Sequence, residues 1–191
     1  MPPGTRNTAD DDLGEFSPVE NFAELADFCC DDPDLDDFFS HDAEPQQNAL
    51  LSKTYAYRFR LNAGLSAPVA AASLLNDSIK LAPEAKAACD LDGVAYQQFP
   101  AVKIGRLGTH AALQGQGIGT AVLNLIKLLF IRRNRTGCRF LTVDAYNCER
   151  VLAFYRKNGF TFYTAKDASR DSRLMYFDLL RFKRGLEAGE K

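Results

Sequence analysis

A chain of 191 residues, 46% of them hydrophobic, is long and apolar enough to bury one core, and no apolar run approaches the ~20 residues needed to span a bilayer. The first residues, Met1-Pro2-Pro3-Gly4-Thr5-Arg6, hold no apolar signal region, so the expected compartment is the cytoplasm, with no membrane partner. Five cysteines (Cys29, Cys30, Cys89, Cys138 and Cys148), odd in number and without a Cys-x-x-Cys pair, argue against a disulfide framework and against a zinc site, so no metal is expected.

The net charge of −2 hides an asymmetry. Residues 1–50 hold 14 acids and one arginine, whereas the remainder holds 11 acids and 22 Lys/Arg. A basic body of this kind suits an anionic ligand; attraction of a cationic acceptor by the acidic half, or of RNA by the basic half, stays open.

In chain order, residues 1–15 are polar and acidic and are expected to form a flexible tail, followed by a single domain over 16–184 and a polar tail over 185–191. Phe22, Leu25, Ala26 and Phe28 recur at helical spacing. After a break at Asp31-Asp32-Pro33, a second short helix is expected with Asp34 as its cap and Leu35, Phe38 and Phe39 on one face. Lys53 to Leu61 alternates aromatic and polar residues as a strand does, and Pro68 to Leu75 is a second strand beyond the turn Asn62-Ala63-Gly64, so the two should be antiparallel. Residues 82–98 read as a loop or short helix. Val102 to His110 is a central strand in which Gly105 and Gly108 mark a bulge or a close backbone approach.

The stretch that organises the rest is Gln114-Gly115-Gln116-Gly117-Ile118-Gly119. Three glycines in five residues forgo packing and leave room for a ligand, and the apolar stripe Ile118, Val122, Leu125, Ile126 and Leu129 makes the following segment a helix. A side-chain-free loop feeding backbone N–H groups into a helix start is an anion site, here for a phosphorylated cofactor. No Gly-Lys-Ser/Thr follows, which excludes a Walker loop, and position 122 is valine where a dinucleotide fingerprint needs its third glycine. The helix should end at Arg132, Arg133 and Arg135 with Gly137 as its stop. Arg139 to Ala145 is then a strand parallel to the central one, Cys148 to Asn158 a helix stopped by Gly159, Phe160 to Thr164 a strand, and Leu174 to Leu180 the last strand.

This order of elements resembles the GCN5-related N-acetyltransferases (GNATs). The resemblance rests on Leu107-Gly108-Thr109 ending a strand, the Gln114 to Gly119 loop, Asn147, and Phe154-Tyr155-Arg156-Lys157-Asn158-Gly159-Phe160, and covers roughly the second half of the chain. It implies an α/β (α+β) GNAT fold: a mixed, mainly antiparallel sheet with helices on both faces and a splay between the two central parallel strands. It also implies acetyl-CoA as cofactor, held by Gln114, Gly115, Gln116, Gly117, Ile118, Gly119 and Thr120 at the pyrophosphate and by Leu107, Gly108, Thr109 and Asn147 along the pantetheine arm. Asn147 reads equally well as a helix N-cap.

Tyr155 is the implied general acid, a phenol that is protonated near pH 7 and can return a proton to a departing thiolate. The glutamate that many GNAT enzymes carry on the central strand is missing; Asp144 and His110 are the remaining base candidates. The implied activity is acetyl transfer to a primary amine. Ile104-Gly105-Arg106-Leu107, Val143-Asp144-Ala145 and the absent base also resemble the toxin branch that acetylates the α-amine of aminoacyl-tRNA, with tRNA as partner. A non-catalytic acyl-CoA-binding module is a third reading. A homodimer pairing through the Leu174 to Leu180 strand is a further option.

Overall fold

The computed structural model describes residues 14–132 and 136–189. Arg133, Arg135 and most of the expected N-terminal tail lie outside the described residues. Among the described residues there are eight strands: β1 (Gly14–Pro18), β2 (Lys53–Leu61), β3 (Gly64–Leu65), β4 (Ala70–Ile79), β5 (Phe99–Thr109), β6 (Phe140–Tyr146), β7 (Thr161–Phe162) and β8 (Ser172–Asp178). The α-helices are α1 (Pro33–Asp37), α2 (Ala43–Asn48), α3 (Pro83–Ala88), α4 (Ile118–Arg132), α5 (Glu149–Lys157) and α6 (Leu179–Gly189). The strand order is β1-β2-β4-β5-β6-β8-β7, with β3 paired to β2. The β1–β2, β2–β3, β6–β8 and β7–β8 pairs are antiparallel and β5–β6 is parallel. This is the mixed, mainly antiparallel sheet that the sequence implies.

The chain divides into two compact units, Met1–Ser73 with Arg106–Val122, and Leu74–Gly105 with Leu123–Lys191. In the first unit, β1 pairs with β2 and begins two residues inside the expected tail: Phe16 lies opposite Tyr57, and its ring stacks on Tyr55 at 5.2 Å. The helix expected from Phe22 to Phe28 contracts to a 3₁₀ turn, Phe22–Leu25, capped by the Asn21 side chain. The next helix is capped by Asp32 rather than Asp34, since the Asp32 carboxylate accepts from the N–H groups of both Asp34 and Leu35. Pro33 therefore opens α1 instead of breaking the chain, because the first helical position needs no N–H donor. A π turn, Phe38–Asp42, joins α1 to α2. It seats Phe38 and Phe39 among Val19, Leu25, Phe28 and Ala56, with Phe39 edge-on to Phe28 at 5.5 Å.

In the second unit, α3 covers a core of Ile79, Leu81, Leu91, Phe99, Ala101 and Phe140. The Arg139 guanidinium grips the Asp178 carboxylate through two bonds of 2.7 and 2.9 Å and donates to the Cys89 carbonyl at 2.7 Å, so the nearly buried Asp178 is fully compensated. The parallel ladder joins Ala101 to Phe140, Val102 to Leu141 and Lys103 to Thr142. It is short against strands of 11 and 7 residues.

One expectation about the C-terminal end is corrected. The strand stops at Asp178, and residues from Leu179 on form α6, whose Phe182 packs edge-on to Phe177 at 6.2 Å, so most of the polar tail is an amphipathic helix. β8 lies between β6 and β7, paired with β6 over its whole length.

Candidate active site

The residues singled out from the sequence fall into two sets, one per unit. In the first unit, β5 ends at Thr109, and a 3₁₀ turn, Ala111–Leu113, leads into the glycine loop. The backbone is fastened to the Cys29-Cys30 segment: Ala111 N–H donates to Cys29 O at 2.9 Å, and the Gln114 side-chain amide donates to Cys30 O at 2.7 Å and Thr109 O at 3.3 Å. Asp36 in turn holds that segment, accepting from Cys30 N–H at 2.7 Å and the Cys29 thiol at 3.4 Å. Burial, followed by the bond and charge of Asp36, pushes the Cys30 thiol up to about 12, so it stays protonated. The close approach anticipated at Gly108 is present, since a Cβ there would stand 3.1 Å from Cys30 Sγ and 3.3 Å from Phe28 Cε1.

Gln114 to Gly117 are exposed, and Gly115 and Gly117 have φ of +75° and +84°. A Cβ at either would meet nothing within 4 Å, so the glycines serve the left-handed backbone and leave open space rather than packing. Ala121 N–H donates to Gly117 O at 3.0 Å, which opens α4. The N–H groups of Ile118, Gly119 and Thr120 precede that bond and have no carbonyl one turn back within the helix. Donors, dipole and space therefore fit a phosphate.

In the second unit, Asn147 follows β6, but the N-cap of α5 is Cys148. Asn147 is occupied otherwise: its side-chain amide donates to Ala168 O at 2.9 Å and Arg170 O at 2.7 Å, and its N–H to Asp171 O at 2.8 Å. It ties down the loop between β7 and β8, a role invisible in sequence because the partners are distant carbonyls. The same loop is braced by Arg173, which pairs with Asp167 at 3.1 Å and lies 3.8 Å from the Phe162 ring centroid.

Tyr155 is buried on α5 between Phe154 and Phe160, with ring centroids 5.1 and 5.2 Å away. Burial raises its phenol well above the ordinary tyrosine value, so it keeps its proton through the whole neutral range. The two base candidates are both engaged. Asp144 accepts from Lys103 Nζ at 2.9 Å in the second unit. In the first, His110 Nδ1 accepts from Ala112 N–H at 3.3 Å, which commits the lone pair a neutral imidazole would need to take a proton. Among the described residues, no group of three His, Cys, Asp or Glu side chains could hold a metal ion, and no helix is long and apolar enough to cross a membrane.

Residues 84–162 match the family model of the acetyltransferase (GNAT) domain. Over this stretch, less than half of the chain, the sequence is similar to an acetyltransferase (GNAT) domain. The fold is shared with solved structures of low sequence identity. A mutant of KacT superposes with a TM-score of 0.71 at 19% identity, over 90% of this chain and 98% of that one. AtaT complexed with acetyl-methionyl-tRNAfMet gives 0.70 at 18%, over 91% and 99%. AtaTR bound with AcCoA gives 0.68 at 17%, over 92% and 99%. No curated protein matches the sequence.

Proposed function

We propose that this chain is an acetyl-CoA-dependent N-acetyltransferase that acetylates a primary amine by direct attack on the thioester, with Tyr155 as general acid. The observation that carries the reading is the exposed, left-handed pair Gly115 and Gly117 at the head of the 15-residue α4, a run of backbone donors with no side chain to fill the space beside it. Backbone N–H groups from Gly115 to Thr120 hold the pyrophosphate, and Gln114 holds the loop itself. Leu107, Gly108 and Thr109 offer backbone groups to the pantetheine arm. Asn147 offers only its Oδ1, its amide hydrogens being spent on Ala168 and Arg170. When bound, acetyl-CoA supplies the activated acetyl group. Tyr155 holds at Oη the proton that the departing sulfur requires.

With His110 and Asp144 both engaged, neither base candidate stands ready to deprotonate an ammonium, so an acceptor amine already partly neutral suits this site best. An α-amine, with its pKa near 7.7 to 8.0, meets that demand and a lysine does not. This supports a finer reading in which the acceptor is the α-amine of an aminoacyl-tRNA and the chain is the toxin of a toxin–antitoxin pair. The likeness to AtaT, solved with acetyl-methionyl-tRNAfMet, favours it. The test is release of free CoA from acetyl-CoA in the presence of simple amines, polyamines, peptides with free N-termini, and charged tRNA. Turnover only with methionyl-tRNA or another aminoacyl-tRNA is the outcome expected. Turnover with lysine side chains alone would sink the α-amine argument. Binding of acetyl-CoA without turnover on any acceptor would leave an acyl-CoA-binding module.

A further inference from the structure

We propose that Lys127 is a positioning residue for Tyr155: its ammonium, buried on α4, grips the carbonyl of Asn158 and so fixes the turn that ends α5. The proposal rests on the reading of Tyr155 as proton donor.

Lys127 is the one charged residue between Ile118 and Ile131 and lies one turn beyond Leu123, on the buried stripe of α4. A leucine or methionine would pack there without having to bring an ammonium out of water. The side chain is nonetheless only 4% exposed. Its Nζ donates to Asn158 O at 3.0 Å and Asn124 Oδ1 at 3.2 Å, and stands 4.3 Å from the Phe177 ring centroid and 5.3 Å from that of Phe182. The groups facing it are thus Asn124 from α4, Asn158 from the end of α5, Phe177 from β8 and Phe182 from α6. Among the described residues none of its partners is a carboxylate, and burial alone brings its pKa down to about 8. A charge kept against that cost, in an otherwise consistent core helix, marks a function rather than packing.

What the ammonium holds leads to Tyr155 by two routes. Asn158 N–H donates to the carbonyls of Phe154 and Tyr155 at 3.2 and 3.1 Å, its side-chain amide donates to Phe154 O at 2.8 Å, and Phe160 N–H donates to Tyr155 O at 3.0 Å. The carbonyl end of Tyr155 is therefore clasped by a turn whose own free carbonyl is clasped by Lys127. The second route is aromatic: Phe177, under the ammonium, packs on Phe160 at 5.5 Å, and Phe160 packs on Tyr155 at 5.2 Å. Gly159, at φ +85°, lets the turn close against Phe177, since a Cβ there would come within 2.9 Å of Cε2.

The experiment uses the full chain as Lys127→Met, which deletes the donor, Lys127→Gln, which returns a donor without charge, and Tyr155→Phe. Amide hydrogen exchange is read at Asn158, Gly159 and Phe160 against Leu141 and Met175 in the sheet, together with acetyl-CoA affinity and kcat on methionyl-tRNA. In Lys127→Met the three turn amides should exchange roughly tenfold faster with the sheet amides unchanged. Turnover should fall roughly 10- to 100-fold at unaltered acetyl-CoA affinity, the size expected of a small misplacement, and Lys127→Gln should recover most of both. Equal loosening throughout the molecule, failure of Lys127→Met to fold, or unchanged exchange at the turn would overturn the proposal. If Tyr155→Phe retains full turnover, the proton-donor reading fails, whatever the exchange shows. If Tyr155→Phe loses turnover and Lys127→Met does not, only the inference about Lys127 fails.

Discussion

The side-chain amide of Gln114 donates to the backbone carbonyl of Cys30 at 2.7 Å, joining positions 84 residues apart. This bond fastens the glycine loop to the segment that Asp36 caps, so Gln114 acts on the cofactor by holding the loop. Gln114→Ala should leave the Cys30 carbonyl short of a donor and lower stability by about 1 kcal/mol. Binding must then order the loop, and acetyl-CoA affinity should weaken by roughly fivefold, the equivalent of about 1 kcal/mol. Gln114→Arg keeps a donor for Cys30 and should bind at least as tightly as the parent. Calorimetry and melting temperature on both variants check this; an Ala variant with parental affinity would detach Gln114 from the loop's order.

The second prediction separates space from charge at Gly117. A side chain there meets no atom within 4 Å but must adopt φ +84°, a region that Asn and Asp enter more readily than other residues. Gly117→Asn and Gly117→Asp should therefore fold alike, each slightly destabilised. If a phosphate lies against this loop, Asn should weaken acetyl-CoA binding and Asp should abolish it. Equal affinity in the two variants would show that no anion sits there.

Much of this was legible in sequence because it is local. The Gln114 to Gly119 loop, the alternation of Lys53 to Leu61 and the stripe of α4 depend on neighbours a few residues away, and the structure keeps them within a residue or two of where they were read. The partners that give the candidate site its shape are distant carbonyls: Cys30 for Gln114, Ala168 and Arg170 for Asn147, and Asn158 for Lys127. Main-chain oxygens leave no trace in composition, so Asn147 looked like a helix cap and Lys127 drew no attention. A signal for Lys127 did exist, a single cation on the apolar stripe four residues after Leu123. β1 escaped notice because Gly14–Pro18 is held by backbone pairing to β2 and by one ring stack rather than by an alternating pattern.

Lys127 also makes a prediction about stability against pH. Burial lowers its pKa from 10.5 to about 8 in the folded chain, so between those values the unfolded chain binds more protons than the folded one. Stability should then rise with pH across that window, at up to about 1.4 kcal/mol per pH unit from this group, and its contribution should be level below about 8. Urea unfolding of the parent and of Lys127→Met at pH 7.5, 9 and 10 isolates the effect, since other groups titrating there are common to both. The parent should gain on the variant as pH rises. A constant difference would mean that Lys127 keeps an ordinary pKa.

The last prediction concerns Tyr155, whose ring lies between Phe154 and Phe160 and whose phenol stays protonated across the neutral range. Tyr155→Phe preserves the ring, its packing and the helix, and deletes only the oxygen. If that oxygen protonates the leaving sulfur, kcat should fall by roughly 10²–10⁴-fold, the usual worth of a general acid, while acetyl-CoA affinity and melting temperature stay close to parental. An acyl donor with a better leaving thiol should lose less, because less protonation is needed as its bond breaks. A tyrosine present only for packing behaves in the opposite way, with turnover within a few-fold of the parent and stability changed by about 1 kcal/mol through the altered hydroxyl site. The pH dependence adds a further check. The raised phenol places any alkaline limb due to Tyr155 far above neutrality, so a limb near 8 that survives in Tyr155→Phe but vanishes in Lys127→Met belongs to the lysine. Measuring kcat, affinity and melting temperature on one preparation decides between the two: full turnover in Tyr155→Phe would move the hydroxyl out of the mechanism.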